Sequence, residues 1–233
     1  MTIKAIFFDF YNTLSKFDPP REELQIHVCK SFGIDVTKSQ VLNGYALADS
    51  FMAKEIGIRP LRSRSKQEVI HFFAEYQRLV IQGSGIEISI ELGESMFRAL
   101  RKLPYDFTLF EDAILTLRTL KDDGLTLGLL SNNDEDMDAT CDKLGLSSLL
   151  DFIITPVQVG SGKPKPEIFL RALDIANVAP NESIHVGDQY ESDIKGALGV
   201  GIKPILIDRD DMYPNFNKCV RIRSLLEIRP LIK

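Results

Sequence analysis

Four short stretches of this sequence carry side chains whose types suit one another chemically. Asp9 ends the apolar run Ile6-Phe7-Phe8, and Ser131-Asn132 follows Leu129-Leu130. Lys163 lies in Gly160-Ser161-Gly162-Lys163-Pro164, and Asp188 and Asp193 follow Val186-Gly187. A carboxylate can act as a nucleophile and form a covalent ester. A hydroxyl and an amide can hold an anionic or oxyanion-bearing group. A lysine can neutralise charge that builds up between nucleophile and substrate. Carboxylates that converge on one spot repel unless a cation joins them, and a hard all-oxygen set favours Mg²⁺.

These residues can meet only if the elements before them end on one rim. Ile6 to Phe8 suits a strand buried on both faces of a parallel sheet. A carboxylate at its tip is costly to bury unpaired, so Asp9 belongs at the carboxyl edge, where ligands of open α/β sheets bind. From Tyr105 the chain alternates. The pattern predicts helices over 110–123, 134–144, 166–176 and 190–198. It predicts strands over 125–130, 152–155, 183–186 and 204–207, an edge strand over 219–222 and a last short helix. Such alternation implies βαβ units, hence an α/β fold with a Rossmann-like parallel sheet.

Between Leu14 and Pro104 the pattern is helical. Ser15 to Pro20 reads as a turn, and Pro19-Pro20 opens a helix that carries Leu24, Val28 and Phe32 and ends near Gly33. Helices follow over 37–57 and over 65–82, where Ser65 and Glu68 form a capping box, and over 87–103. The organisation expected is a core of residues 1–15 and 105–233 with a helical insert over 16–104.

With 44% hydrophobic and 26% charged residues among 233, the chain can bury a sizeable core. A formal charge of −5 points to neither nucleic acid nor a membrane surface as partner. It leaves open a small anionic substrate, met by local positive charge. Cys29, Cys141 and Cys219 are odd in number and form no CxxC pair, as expected of reduced thiols in a cytoplasmic protein. No apolar run reaches the roughly 20 residues of a membrane span, and the first strand begins with no leader-like segment before it. A monomer or a homodimer is expected.

The ordered set of stretches resembles the haloacid dehalogenase superfamily. Asp9-Phe-Tyr-Asn-Thr13-Leu14 is similar to its first motif, Leu-Leu-Ser131-Asn132 to its second, Gly162-Lys163-Pro164-Lys-Pro166 to its third, and Gly187-Asp188-Gln-Tyr-Glu-Ser-Asp193 to its fourth. The resemblance implies a hydrolase with Asp9 as nucleophile and Lys163 as its cationic partner. Ser131, Asn132, Asn12 and the amides near Tyr11 would hold the substrate. Asp9, the Tyr11 carbonyl, Asp188 and Asp193 would bind Mg²⁺. The helical insert would be the family's cap, closing to exclude water.

Two positions depart from the family pattern. Its phosphatases usually carry a second aspartate where this chain has Tyr11. That aspartate protonates the leaving alkoxide and later activates water, whereas a phenol with a pKa near 10 cannot be the base at neutral pH. Tyrosine there is a feature of the family's dehalogenases, which need no metal. Asn12 stands where glycine is usual, and asparagine tolerates left-handed backbone angles. The acidic pair Asp188/Asp193 instead resembles the phosphatases. The insert has no match to the dehalogenases' Trp-Arg-x-x-Gln, although Arg59, Arg62 or Arg64 could substitute. The resemblance therefore implies Mg²⁺-dependent hydrolysis of a small phosphate monoester. The alternatives are 2-haloacid dehalogenation and a catalytically weakened member that binds a metabolite or a partner. His185 is expected to be a hydrogen-bonded structural histidine. Lys165, Glu191, the run Arg62–Lys66 and the loop Asp208–Asp211 are expected to be solvated.

Overall fold

The structure is a computed structural model that describes residues 2–133 and 136–232. In chain order it begins with β1 (Ala5–Phe8) and β2 (Ser15–Asp18). Four helices follow: α1 (Arg21–Ser31), α2 (Lys38–Ile58), α3 (Lys66–Gln82) and α4 (Ile90–Leu100). Then come β3 (Asp106–Leu109), α5 (Ala113–Asp122), β4 (Thr126–Leu130), α6 (Met137–Lys143), β5 (Phe152–Ile154), α7 (Pro156–Val159) and α8 (Pro166–Ala176). The chain closes with β6 (Ser183–Gly187), α9 (Lys195–Gly199), β7 (Lys203–Ile207), β8 (Val220–Ile222) and α10 (Ile228–Leu231). The first two positions of the helix expected over 134–144 lie outside the described residues. None of the described helices is long and apolar enough to cross a membrane.

The chain divides into two compact units, Met1–Lys16 with Phe107–Lys233, and Phe17–Asp106. The first holds a six-stranded sheet of order β5-β4-β1-β6-β7-β8, with every pair parallel. Strand β1 lies inside it, between β4 and β6, and all four of its residues are buried. Its side chains alternate between two cores, as the period of a strand demands. Ile6 and Phe8 join a cluster with Leu117, Leu120, Leu129 and Leu225. Ala5 and Phe7 join one with Ile168, Phe169, Ala172 and Ala197. Each such phenylalanine contributes about 1.5–3 kcal/mol of burial, so the strand that carries Asp9 is held from both sides. Strands β2 and β3 form a separate two-stranded sheet. The turn expected over 15–20 is thus partly strand, because Ser15–Asp18 finds a partner 90 residues downstream that local propensity cannot reveal.

The helical unit is built on α1–α4. Thr37 and Ser65 cap α2 and α3 through reciprocal bonds with Gln40 and Glu68. Val41, Tyr45, Ala48, Tyr76 and Val80 pack into one core, and Val28, Cys29, Ile81 and Met96 into another. In the run Arg62–Lys66 between α2 and α3, Arg62 and Lys66 are exposed as expected, but Arg64 is not. Arg64 stacks 4.9 Å from the Phe72 ring and donates to the Glu55 carbonyl at 3.1 Å. Arg59 forms a two-pronged pair with Glu68. The stem of an arginine can cover apolar surface while its head finds acceptors, which a run of charged letters does not show.

Candidate active site

Asp9 follows β1, and its amide extends the strand by donating to the Val186 carbonyl at 2.9 Å. The chain then turns tightly. Leu14 and Ser15 both donate backbone N–H bonds to the Phe10 carbonyl, and Asn12 donates to the Ser15 carbonyl at 2.7 Å. This turn needs Asn12 at φ 59°, a left-handed conformation that asparagine adopts more readily than other residues with a Cβ. The half-buried Tyr11 ring packs edge-to-face on Phe107, centroids 6.5 Å apart.

Lys163 reaches Asp9 from the loop after α7. Its Nζ donates to Asp9 Oδ1 at 2.5 Å and to Asp193 Oδ1 at 2.7 Å, and the lysine is buried. Asn132, just past β4, fixes the backbone of that lysine. Its carboxamide donates to the Lys163 carbonyl at 2.8 Å and accepts from the Lys163 amide at 2.7 Å. A Cβ at residue 162 would lie 2.5 Å from Asn132 Oδ1, so glycine is what lets this clamp close. Ser131 is buried beside it and accepts from the Asn133 amide at 3.1 Å.

Asp188 and Asp193 follow β6. A π-type turn over Tyr190–Ile194, continued by α9, brings Asp193 back against the strand end. A Cβ at residue 187 would lie 2.3 Å from Asp193 Cγ. Asp193 is fully engaged: Oδ1 meets Lys163 Nζ and, at 3.0 Å, His185 Nε2, while Oδ2 accepts from the Gln189 amide at 3.0 Å. His185 points away from Ile184 and Val186, across the sheet, where Phe169 packs edge-on against its ring. Carboxylate oxygens of Asp9, Asp188 and Asp193 all lie within 4.8 Å of one another.

The charges in this cluster do not balance. Burial pushes the Asp9 carboxyl up; Lys163 opposes that, Asp193 reinforces it, and the result is about 6. For Asp193 burial pushes the same way, but Lys163 and His185 outweigh it and hold it well below the usual carboxylate range. Burial also disfavours the lysine charge, yet Asp193 and Asp9 keep Lys163 protonated far above its ordinary value. Burial lowers His185, which therefore stays neutral and donates through Nε2 to an ionised Asp193. One ammonium thus serves two buried carboxylates with a third beside them, a set that would welcome a hard cation.

Asp9, Lys163 and Asp193 meet directly, with Asp188 in reach. Tyr11 and Asn12 lie in the turn beside them. Asn132, expected at the substrate, has its carbonyl and one N–H on Lys163, so its first role is to hold that lysine. Glu191 pairs on the surface with Lys195. Of the loop expected to be solvated over Asp208–Asp211, Asp210 and Asp211 are exposed, but Asp208 is buried and accepts from the Met212 and Tyr213 amides and from Arg221. Sequence reasoning left Arg209 within that solvated loop and passed over Asp112; the two lack a motif and lie 97 residues apart.

A family model described as haloacid dehalogenase-like hydrolase matches residues 3–201. The chain is 29% identical to haloacid dehalogenase-like hydrolase domain-containing protein 3 of Mus musculus, over 89% of this chain and 82% of that protein. It is 35% identical to phosphoserine phosphatase of Thermus thermophilus over 63% of this chain, a stretch that spans 58% of the relative. Among solved structures, the HAD-hydrolase YfnB of Bacillus subtilis bound to magnesium superposes with a TM-score of 0.68 at 19% identity, over 100% of both chains.

Proposed function

The chain belongs to the haloacid dehalogenase-like hydrolases, and on that premise we propose that it hydrolyses a small phosphate monoester with Asp9 as the nucleophile. The observation that carries this reading is the convergence of Asp9, Asp188 and Asp193 within 4.8 Å around one buried lysine. Phosphatase-named relatives support it.

The Asp9 carboxylate attacks phosphorus, forming an Asp9 O–P bond as the bond to the alcohol oxygen breaks. Water then cleaves the O–P bond, releasing phosphate and regenerating Asp9. Lys163 keeps Asp9 oriented and has a third N–H left for a phosphoryl oxygen. Ser131 and the backbone amides near Tyr11 hold the remaining oxygens. The hard carboxylate set fits Mg²⁺, which Asp9, the Tyr11 carbonyl and Asp188 would hold, with Asp193 positioning Lys163 behind them. Such an ion would neutralise charge on the phosphoryl group. With tyrosine at position 11, the leaving alcohol takes its proton from water or from the substrate itself. We assign the helical unit Phe17–Asp106, by its place in the chain, the role of the family's cap.

Tyr11 favours a second reading, metal-independent 2-haloacid dehalogenation, since halide leaves without a proton. Purified protein assayed with a chromogenic phosphate ester, with and without Mg²⁺, and with 2-chloropropionate separates the two. Mg²⁺-dependent phosphate release, lost in Asp9→Asn, is expected. Metal-independent halide release with no phosphate release would overturn the proposal.

A further inference from the structure

The turn that carries Asp9 is gripped from outside at two successive carbonyls. Leu14 accepts from the Phe110 amide at 3.0 Å, and Thr13 accepts from Arg209 Nη2 at 2.8 Å. Arg209 follows β7, far from the turn in sequence. Its guanidinium stacks 3.7 Å from the Phe110 ring and forks onto Asp112, with Nη1 at 3.0 Å and Nη2 at 2.9 Å. Asp112 is in turn fixed by the Ser224 hydroxyl at 2.7 Å and the Leu225 amide at 2.9 Å. The side chains of Arg209 and Asp112 are only 14% and 11% exposed. A buried carbonyl left unpaired is costly, and Thr13 is fully buried.

We propose that Arg209 is a positioning residue for catalysis: braced by Phe110 and Asp112, it sets the backbone of the Asp9–Ser15 turn through the Thr13 carbonyl. The turn's own backbone bonds end on the Phe10 and Ser15 carbonyls, while the Thr13 carbonyl is met by Arg209. Tyr11, whose backbone faces the site in the reading above, lies between Asp9 and the gripped carbonyl. The proposal rests on that reading for its catalytic consequence. Only a planar fork can serve Asp112 and Thr13 at once, so lysine should not substitute.

The test compares the full-length protein with Arg209→Lys and Arg209→Ala, each assayed at a temperature where circular dichroism shows it folded. The expected result is a fall in kcat of about tenfold to a hundredfold, the scale of a misplaced reacting group, with KM changed by less than about threefold. Added methylguanidinium should restore part of the kcat of Arg209→Ala, and methylammonium should not. Amide exchange by mass spectrometry should quicken in a peptide covering 10–15 and stay unchanged in one covering β4. A lowered melting temperature with kcat and turn exchange unchanged would overturn the proposal and leave Arg209 a structural residue. If the wild-type protein releases no phosphate, the phosphatase reading falls. The exchange comparison then decides whether Arg209 holds the turn, and unchanged exchange overturns it.

Discussion

Two clusters of charge in the α/β unit are built from the same residue types and behave in opposite ways. Asp112 has more partners than it needs: an arginine fork, a hydroxyl and a backbone amide. Although burial works against it, those donors lower its pKa below the ordinary value. Asp9 has a shared lysine and a like charge beside it, and it is pushed up to about 6. A carboxylate with surplus donors is settled and serves to fix backbone. A carboxylate short of donors, at a strand end with two more acids nearby, is poised to take a cation or attack an electrophile. The contrast separates structure from site more sharply than residue type or burial alone.

The largest effect should come from removing Lys163, the ammonium shared by Asp9 and Asp193. Lys163→Met leaves Asp9 and Asp193 buried against each other, and breaking a buried pair in this way costs about 3–5 kcal/mol. Chemical denaturation measures the loss; a change below about 1 kcal/mol would mean the carboxylates do not depend on that lysine. Next, Tyr11→Asp adds the general acid that the turn lacks. Phosphate release should rise on the order of 10²-fold in steady-state assays with Mg²⁺, and no gain would show that leaving-group protonation is not limiting.

The settled cluster should respond with a smaller loss and a definite pH dependence. Asp112→Asn is expected to cost about 1–2 kcal/mol at neutral pH. Because the folded pKa lies below the ordinary 3.8, this contribution is present above that pH and fades as pH falls through the folded value. Melting curves of variant and wild type should therefore converge in acid. Asp9 carries the reverse sign. Its pKa rises from 3.8 to about 6 on folding, so deprotonation costs stability as pH climbs through that window. In chelator, Asp9→Asn should be more stable than wild type by up to about 3 kcal/mol well above pH 6 and equal to it below pH 4. If Asp9→Asn destabilises the chelated protein at pH 7, Asp9 is as settled as Asp112 and the contrast fails.

The poised cluster was the legible part of the sequence: its carboxylates follow apolar strands, whose ends local pattern places, and Lys163, in the loop after α7, lies in a stretch that resembles a family motif. The left-handed tolerance of Asn12 was legible for the same reason: it is a property of one residue. Asp208, Arg209 and Asp112 were not. Their roles come from contacts between segments far apart in the chain, where an acidic letter in a loop looks the same whether it is solvated or buried under Arg221. The pairing of β2 with β3 was hidden likewise. Asn132 was read as facing the substrate because its neighbour Ser131 suits that chemistry. Only the fold reveals that Lys163 runs alongside and takes its carboxamide.

The close fit of Gly187 against Asp193 bears on how this protein tolerates substitution. Alanine at 187 adds one methyl group and alters no charge, yet a real Cβ cannot sit 2.3 Å from another carbon. Asp193 would have to retreat and take with it its hold on Lys163. Gly187→Ala should thus disable the enzyme while every acid and base is retained. A catalogue of charged residues alone would score such a chain as intact.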